Sequence, residues 1–448
     1  MKTKFKFISS SCSLILFTLA ALLPQTILAQ ANYYWITPVS SLLDGGAPQG
    51  LAVDAAGDIY IADANKHVIL KAALSGTNWI VTVIAGTNGV SGTSDGTNSN
   101  ARFLNPGGVA VDTAGNLYVA DSGNNCIRKV TPSGTNWIVT TIAGTMGNNN
   151  SGSNDGINGA AQFAFPVGIA VDTAGNLFIG DNGNVTIRKI RHSGTNWITS
   201  TIAGSAGSAG YLDATNGVAE FNYLLGVAVD AADIVYVADA GNNAIRKVTP
   251  SGTNWIVTTI GGQPADPDGS AGSSDGLTNA SQFWFPVGVA VDAAANVYVA
   301  DANNSTIRKI IPTGSDWNTV TIGGLAGNFG NADGTNIVAA FGFPSGVAVD
   351  AFDNVFATDS GNNNLRLGYI FPPLLQLALV TNQITLSYPS AIGTNINFTL
   401  QSATNLTDND WVDVTNQWQF DKNSTPTIIL ALTNNIPDRF FRLQFQSP

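Results

Sequence analysis

Twelve aspartates stand in two regular series: Asp54, Asp112, Asp172, Asp230, Asp292 and Asp350, and Asp63, Asp121, Asp181, Asp239, Asp301 and Asp359. Paired carboxylates can serve as general acid and base, or hold a divalent cation. A catalytic acid is needed once, however, whereas a hydrogen bond at a turn or strand end is needed in every copy of a repeat. Both series therefore read as structural. The arginines of the recurring Ile-Arg-Lys position (Arg128, Arg188, Arg246, Arg308, Arg366) are expected to pair with them, and Leu70 takes that place in the first copy. Other chemistry is thinly supplied: His67 and His192 are the only histidines, and Glu220 is the only glutamate. Nothing marks out a Ser-His-Asp triad. Asp266-Pro267-Asp268-Gly269 offers the oxygen ligands of a Ca²⁺ loop without its spacing, so Ca²⁺ is the one cofactor left open.

The elements that position these residues repeat. The Val-Asp step recurs at intervals of 58, 60, 58, 62 and 58 residues. Around it the same wording returns, as GGVAVDTAGNLYVADSGNNCIRKVTPSGTNWIVTTIAG in the second copy. A full copy holds four β-branched and aromatic runs bounded by Gly, Asn, Pro or Ser. Four antiparallel strands make a propeller blade, and six copies make a six-bladed ring. Five copies end in an outer strand carrying Trp79, Trp137, Trp197, Trp255 or Trp317, while the sixth stops after LRLGYI. Trp35 at the opposite end supplies the missing Trp, so Trp35 to Leu42 is expected to close the last blade within an outer-strand segment 34–42. His67 then falls between second and third strands and His192 before an outer strand. Those positions lie on opposite faces, so the two cannot share a metal.

Residues 1–31 read as a secretory signal: Lys2, Lys4 and Lys6, an apolar run from Leu14 to Leu23, and small-residue cleavage sites after Ala29 or Ala31. The apolar run is shorter than the ~20 residues of a membrane span. Cleavage leaves Cys126 without an intramolecular disulfide partner and predicts a secreted, extracellular or periplasmic bacterial protein with no membrane insertion. The formal charge of −11 repels phosphate backbones, which argues against nucleic acid. The propeller is expected over 32–371 and a small β-sandwich over 372–448, where short alternating runs such as QITLSY, NFTLQSA and FFRLQF appear. A monomer is expected.

The repeat wording, GxAVDxxGNxYVADxxNxxIRK, resembles the NHL family, a group of NHL/TolB-like six-bladed propellers, over roughly residues 44–370. The added phrase SDG…AxFxxPxGVAVD resembles a bacterial branch. The resemblance implies a binding or scaffold protein for protein, RNA or carbohydrate. Of these, protein or carbohydrate suits the acidic chain. Two alternatives stand beside it: a divalent-metal-dependent lactonase- or lyase-like enzyme, and a structural envelope protein. A lyase of the NHL-like type needs several His ligands, which this chain lacks. A lactonase of the gluconolactonase type could use Glu220, but no further residues match that pattern.

A ligand site is expected where the copies differ. Each outer strand joins the next inner strand by a connection of over twenty residues, as from Thr145 to Val167. Loops of that length in a compact domain are uncommon and often functional. Their last residues include a constant Phe (103, 163, 221, 283, 341), expected in the core, and variable neighbours. The candidate binding residues are Arg102, Asn105, Gln162, Glu220, Tyr223 and Trp284. Arg102 and Glu220 occupy the place held by Gln162 and Gln282; opposite charges at equivalent positions are explained by an asymmetric ligand, or by an ion pair between the two or contacts with neighbouring turns. Trp284 offers a flat surface on which a sugar ring or side chain could stack. The competing reading is that Tyr223, Trp284, Phe285 and Phe343 plug the central channel.

Overall fold

The recurring Val-Asp step ends an inner strand. In the second copy that strand is Pro106–Val111, followed by Leu117–Asp121, Cys126–Ser133 and Asn136–Ala143, bonded in that order as an antiparallel sheet. Asp112 shapes the first turn: its Oδ1 accepts the N–H groups of Ala114 and Asn116, and its Oδ2 accepts from Asn116 Nδ2 and Tyr118 OH. The same turn forms at Asp54, Asp172, Asp230, Asp292 and Asp350. Asp suits it because a short carboxylate can bond the backbone two and four residues on.

The computed structural model describes residues 33–370 apart from 43, 77, 148–149 and 264–270, together with strand segments at 3–6 and between 376 and 445. Six sheets of this design form an all-β, six-bladed propeller. Its inner strands approach one another backbone to backbone. A Cβ on any of Gly50, Gly108, Gly168, Gly226, Gly288 or Gly346 would come under 3.0 Å from the next blade, and for Gly346 the next blade is the first. That run of glycines closes the circle. Between blades, a second-strand aromatic meets the outer-strand Trp of its neighbour edge-on: Tyr60 with Trp137 at 5.9 Å, Tyr118 with Trp197 at 6.0 Å, Phe178 with Trp255 at 6.0 Å and Tyr236 with Trp317 at 6.2 Å. Phe356 meets Trp79 in the same way at 6.3 Å.

The strand beside Asn364–Ile370 in the last blade is Tyr33–Val39. Its register differs from the one that the Trp count suggests. Trp35 pairs with Gly334, as Val139 pairs with Gly96 and Thr319 with Gly276. The place of the outer-strand Trp falls instead to Tyr33, whose N–H donates to Asn336 Oδ1 as that of Trp137 donates to Asn98 Oδ1. Tyr33 also meets Tyr298, next in the second-strand aromatic series, through their hydroxyls at 3.5 Å. Trp35 is a buried core residue with its indole N–H on Ile322 O at 2.9 Å.

A second compact unit holds the remaining described strands. They form two antiparallel sheets, one ordering Thr3–Lys6, Phe440–Phe445, Phe398–Ala403 and Val412–Asp413, the other Gln376–Val380, Gln383–Ser387 and Thr427–Ala431. The apolar run 14–23 and the cleavage sites at Ala29 and Ala31 lie outside the described residues, as does the Asp266–Gly269 loop.

Candidate functional site

The second Asp series and the arginines hold the long connections in place. In blade 2 the buried Arg128 donates to Asp121 Oδ2 at 2.7 Å and, on the connection, to Asp95 Oδ1 at 2.7 Å and the carbonyls of Ser94 and Arg102 at 3.0 Å each. Its guanidinium also lies 5.2 Å from the ring of buried Phe103. Arg188, Arg246, Arg308 and Arg366 repeat this arrangement with Asp181 and Asp155, Asp239 and Asp213, Asp301 and Asp275, Asp359 and Asp333. The pairing with the strand-end Asp series was legible in the sequence. The connection's own Asp, from the Ser-Asp-Gly wording, was present there but carried no assigned partner. Burial pushes Asp121, Asp239 and Asp301 up to about 6, although the adjacent guanidinium pulls each of them down.

Blade 1 lacks the arrangement. Its incoming link runs only from 40 to 47, Leu70 replaces the arginine, and Asp63 is buried with no hydrogen-bond partner for Oδ2. The arginine is absent where there is no long connection to hold.

The other Asp oxygen aims the end of each connection. Asp121, Asp181, Asp239, Asp301 and Asp359 accept through Oδ1 the N–H of Leu104, Ala164, Asn222, Trp284 and Gly342. The following residue, just before the inner strand and the central opening, is left-handed in five blades: Asn105 (φ 48°), Phe165 (φ 50°), Tyr223 (φ 58°), Phe285 (φ 54°) and Phe343 (φ 64°). Its N–H is held by the preceding blade where a suitable acceptor exists, Phe165 on Asn125 Oδ1 at 2.7 Å and Phe285 on Asn243 Oδ1 at 2.7 Å. His67 Nδ1 does the same for Asn105 at 3.2 Å, so that histidine serves the backbone.

Asn accepts a left-handed backbone readily, whereas a bulky aromatic there is strained, at a cost of order 1–3 kcal/mol. Burial does not offset that strain at two of these positions, since Phe165 is 45% and Tyr223 is 47% exposed, and Trp284, the residue before Phe285, is 48% exposed. Tyr223 and Phe285 touch with centroids 5.6 Å apart. An arc of aromatics therefore spans blades 3 to 6 at the mouth of the opening, with Asn105 continuing it in blade 2.

The six sequence candidates separate into two groups. Asn105 and Tyr223 lie on this arc, and Trp284 directly precedes its member Phe285. Arg102, Gln162 and Glu220 fold back on the connections. Arg102 donates to the carbonyls of Ser99 and, at 2.7 Å, Ala101; Gln162 Oε1 accepts from Asn154 Nδ2 at 2.8 Å; and Glu220 lies against Gly210. Of the other arc residues, Phe285 and Phe343 entered the sequence analysis only in the channel-plug reading and Phe165 in neither reading, and Phe gives no sequence signal of a left-handed backbone.

No group of three or more His, Cys, Asp or Glu among the described residues is placed to hold a metal, and no helix among them is long and apolar enough to cross a membrane. A groove of about 600 Å³ lies away from the arc, between the outer parts of blades 4 and 5, and includes Lys247, Leu277, Thr278 and Trp317. Its Lys247–Trp317 stack at 5.3 Å is repeated by Lys189 and Trp255 at 5.4 Å, so it belongs to the repeat.

Fold and face define the class: a six-bladed propeller with long, arginine-held connections on one side. Two of its repeats match the NHL repeat, over residues 103–130 and 283–310. The chain is 27% identical over 327 residues to the chloroplastic protein SUPPRESSOR OF QUENCHING 1 of Arabidopsis thaliana, covering 71% of this chain and 30% of that one. It is 25% identical over 366 residues to NHL repeat-containing protein 2 of Gallus gallus, covering 75% and 48%. The chain thus spans less than half the length of these curated relatives. An auxiliary nutrient binding protein of Bacteroides thetaiotaomicron has the same fold, with a TM-score of 0.54 at 14% identity, covering 75% of this chain and 76% of that one.

Proposed function

We propose that this is a secreted, non-catalytic binding protein that holds a carbohydrate or protein ligand on the connection face of its propeller. The reading is carried by one observation: of the four aromatics in a strained left-handed position at the channel mouth, Phe165 and Tyr223 stay half exposed. A core plug would bury them, and a turn would use Gly or Asn. Exposed rings beside polar groups suit the flat apolar face and hydroxyl edge of a sugar, or the mixed surface of a protein. The solved propeller called a nutrient binding protein is compatible with this role.

The test is a glycan and protein array probed with the full chain, followed by titration of the best ligand against Tyr223→Asn and Trp284→Ala. Each variant should weaken binding by more than about 1 kcal/mol, the level that marks a contributing contact. Undiminished binding by both variants would overturn the assignment.

A further inference from the structure

Blade 1 has lost a whole set of features that guard the outer strand in the other blades. There the connection lies along that strand and satisfies its edge. Gly96–Thr97, Gly156–Ile157, Gly276–Leu277 and Gly334–Thr335 each add a short fifth strand, and in blade 4 Val257 N–H donates to Ala214 O at 2.8 Å. Asn98, Asn158 and Asn216 take the N–H of the outer-strand Trp at one end. At the other end, Asp95, Asp155, Asp213 and Asp275 take both the N–H and the hydroxyl of Thr141, Thr201, Thr259 and Thr321.

In blade 1 the order stops at the outer strand Asn78–Gly86. The equivalents of the three guarded positions are Trp79, Val81 and Val83. No bond among the described residues takes their outward N–H groups, and Val83 has also lost the hydroxyl that an Asp would hold. The strand NWIVTVIAG carries no charge and no proline, the usual devices that keep an edge from pairing. Ile80 is 50% and Val83 43% exposed on it.

We propose that this edge pairs antiparallel with the same edge of a second copy, about a two-fold axis at Val81. Val81 then faces Val81 of the other copy and Trp79 faces its Val83, each pair exchanging two backbone hydrogen bonds. A second copy is the occupant that the edge itself specifies. A two-fold contact needs a self-complementary surface, and the outward set Trp79, Val81, Val83 is uncharged and centred on Val81. An acidic occupant resembling the connections elsewhere would find neither the Thr nor the Arg that receives its carboxylate, because Val83 and Leu70 stand there. The chain's charge of −11 opposes association, so pairing should tighten as salt screens it.

Sedimentation velocity on the full secreted chain over a concentration series tests this. The wild type should pass from monomer to dimer, at lower concentration in higher salt. Val81→Pro removes an outward N–H without touching the ladder to the third strand, and Val83→Lys adds the guard that the edge lacks. Each should raise the dimerisation midpoint by about tenfold or more, with melting temperature retained. If Val81→Pro fails to fold, Val83→Lys alone decides. A wild type that stays monomeric at every concentration, or variants that dimerise like it, would overturn the proposal.

Discussion

The indole of Trp35 fills the space that a side chain on Gly368 would occupy: a Cβ on Gly368 would lie 2.6 Å from Trp35 Cε2. In the other long-connection blades the place of Gly368 belongs to Val130, Ile190, Val248 and Ile310, all buried, and the place of Trp35 to Val139, Thr199, Val257 and Thr319. The last blade has exchanged a pair of medium side chains for one very large and one absent. The exchange anchors the strand that arrives from the opposite end of the propeller. Trp35→Ala should cost about 3–5 kcal/mol, as for other buried aromatics. Gly368→Val should also destabilise, by about 1–3 kcal/mol through overpacking. The double change Trp35→Val with Gly368→Val restores the pair of the other blades and should cost less than the sum of the singles. Denaturant unfolding of the four proteins checks this, and simple additivity would refute it.

Arg128 is the staple of its connection. Arg128→Leu copies the first blade, where Leu70 is native, but here it leaves Asp121 and two loop carbonyls buried beside an apolar side chain. A loss of about 3–5 kcal/mol is expected, the usual result of breaking a buried pair. Proteolysis should then cut between 87 and 102 before any other connection. Equal protection of all connections in the variant would show that the arginine does not hold the loop.

Much of this was legible beforehand, for reasons that differ by residue. The strands and the Asp112-type turns follow from alternation and from short polar side chains, which act locally. The register of Tyr33–Val39 was not legible, because an indole can replace Val139 only where a distant Gly368 makes room. The left-handed backbone of the arc was hidden for another reason. Asn105 signals a left-handed backbone, but Phe165, Phe285 and Phe343 adopt it against their own preference, held by Asn125, Asn243 and the buried aspartates. Leu70 was visibly the odd residue of its series. Its link to a bare strand edge needed the sheet order.

The buried aspartates set a pH dependence. Asp121, Asp239 and Asp301 are raised in the fold to about 6 from an ordinary 3.8, chiefly by burial. Between these values the folded chain binds more protons than the unfolded one. Their contribution is therefore fully present below about pH 4 and is lost as pH rises through about 6. Falling net negative charge acts in the same direction. The melting temperature should be higher at pH 5 than at pH 7. Arg128→Leu removes the charge that pulls Asp121 down and should steepen this dependence. A wild-type melting temperature that falls from pH 7 to pH 5 would contradict the shifts.

The left-handed aromatics predict a trade of stability against binding. Phe165→Asn relieves the strained backbone and removes a ring that is 45% exposed, so it should stabilise by about 1 kcal/mol. Tyr223→Asn relieves the same strain but forfeits the contact with Phe285, worth about 0.5–1.5 kcal/mol, so its gain should be smaller or nil. Thermal melts of the two variants separate these effects. Loss of stability in Phe165→Asn would mean that the ring has a packing role, which favours the channel-plug reading.

If the chain is exported as proposed, cleavage and ring closure meet at one place in the sequence. Cleavage after Ala29 or Ala31 would leave the mature protein starting at Gln30 or Asn32, directly before the closing strand Tyr33–Val39. The Tyr33 N–H on Asn336 Oδ1 and the buried Trp35 then survive processing, whereas a cut a few residues later would remove both. Secreted material should therefore begin at Gln30 or Asn32 on N-terminal sequencing. A chain started at residue 44 should melt far below it, since the last blade would expose an unpaired edge and lose its indole anchor. Recovery of the intact Met1 form from the membrane fraction would refute export by cleavage. A truncated chain that melts like the full one would refute closure by this strand, and the two results are independent.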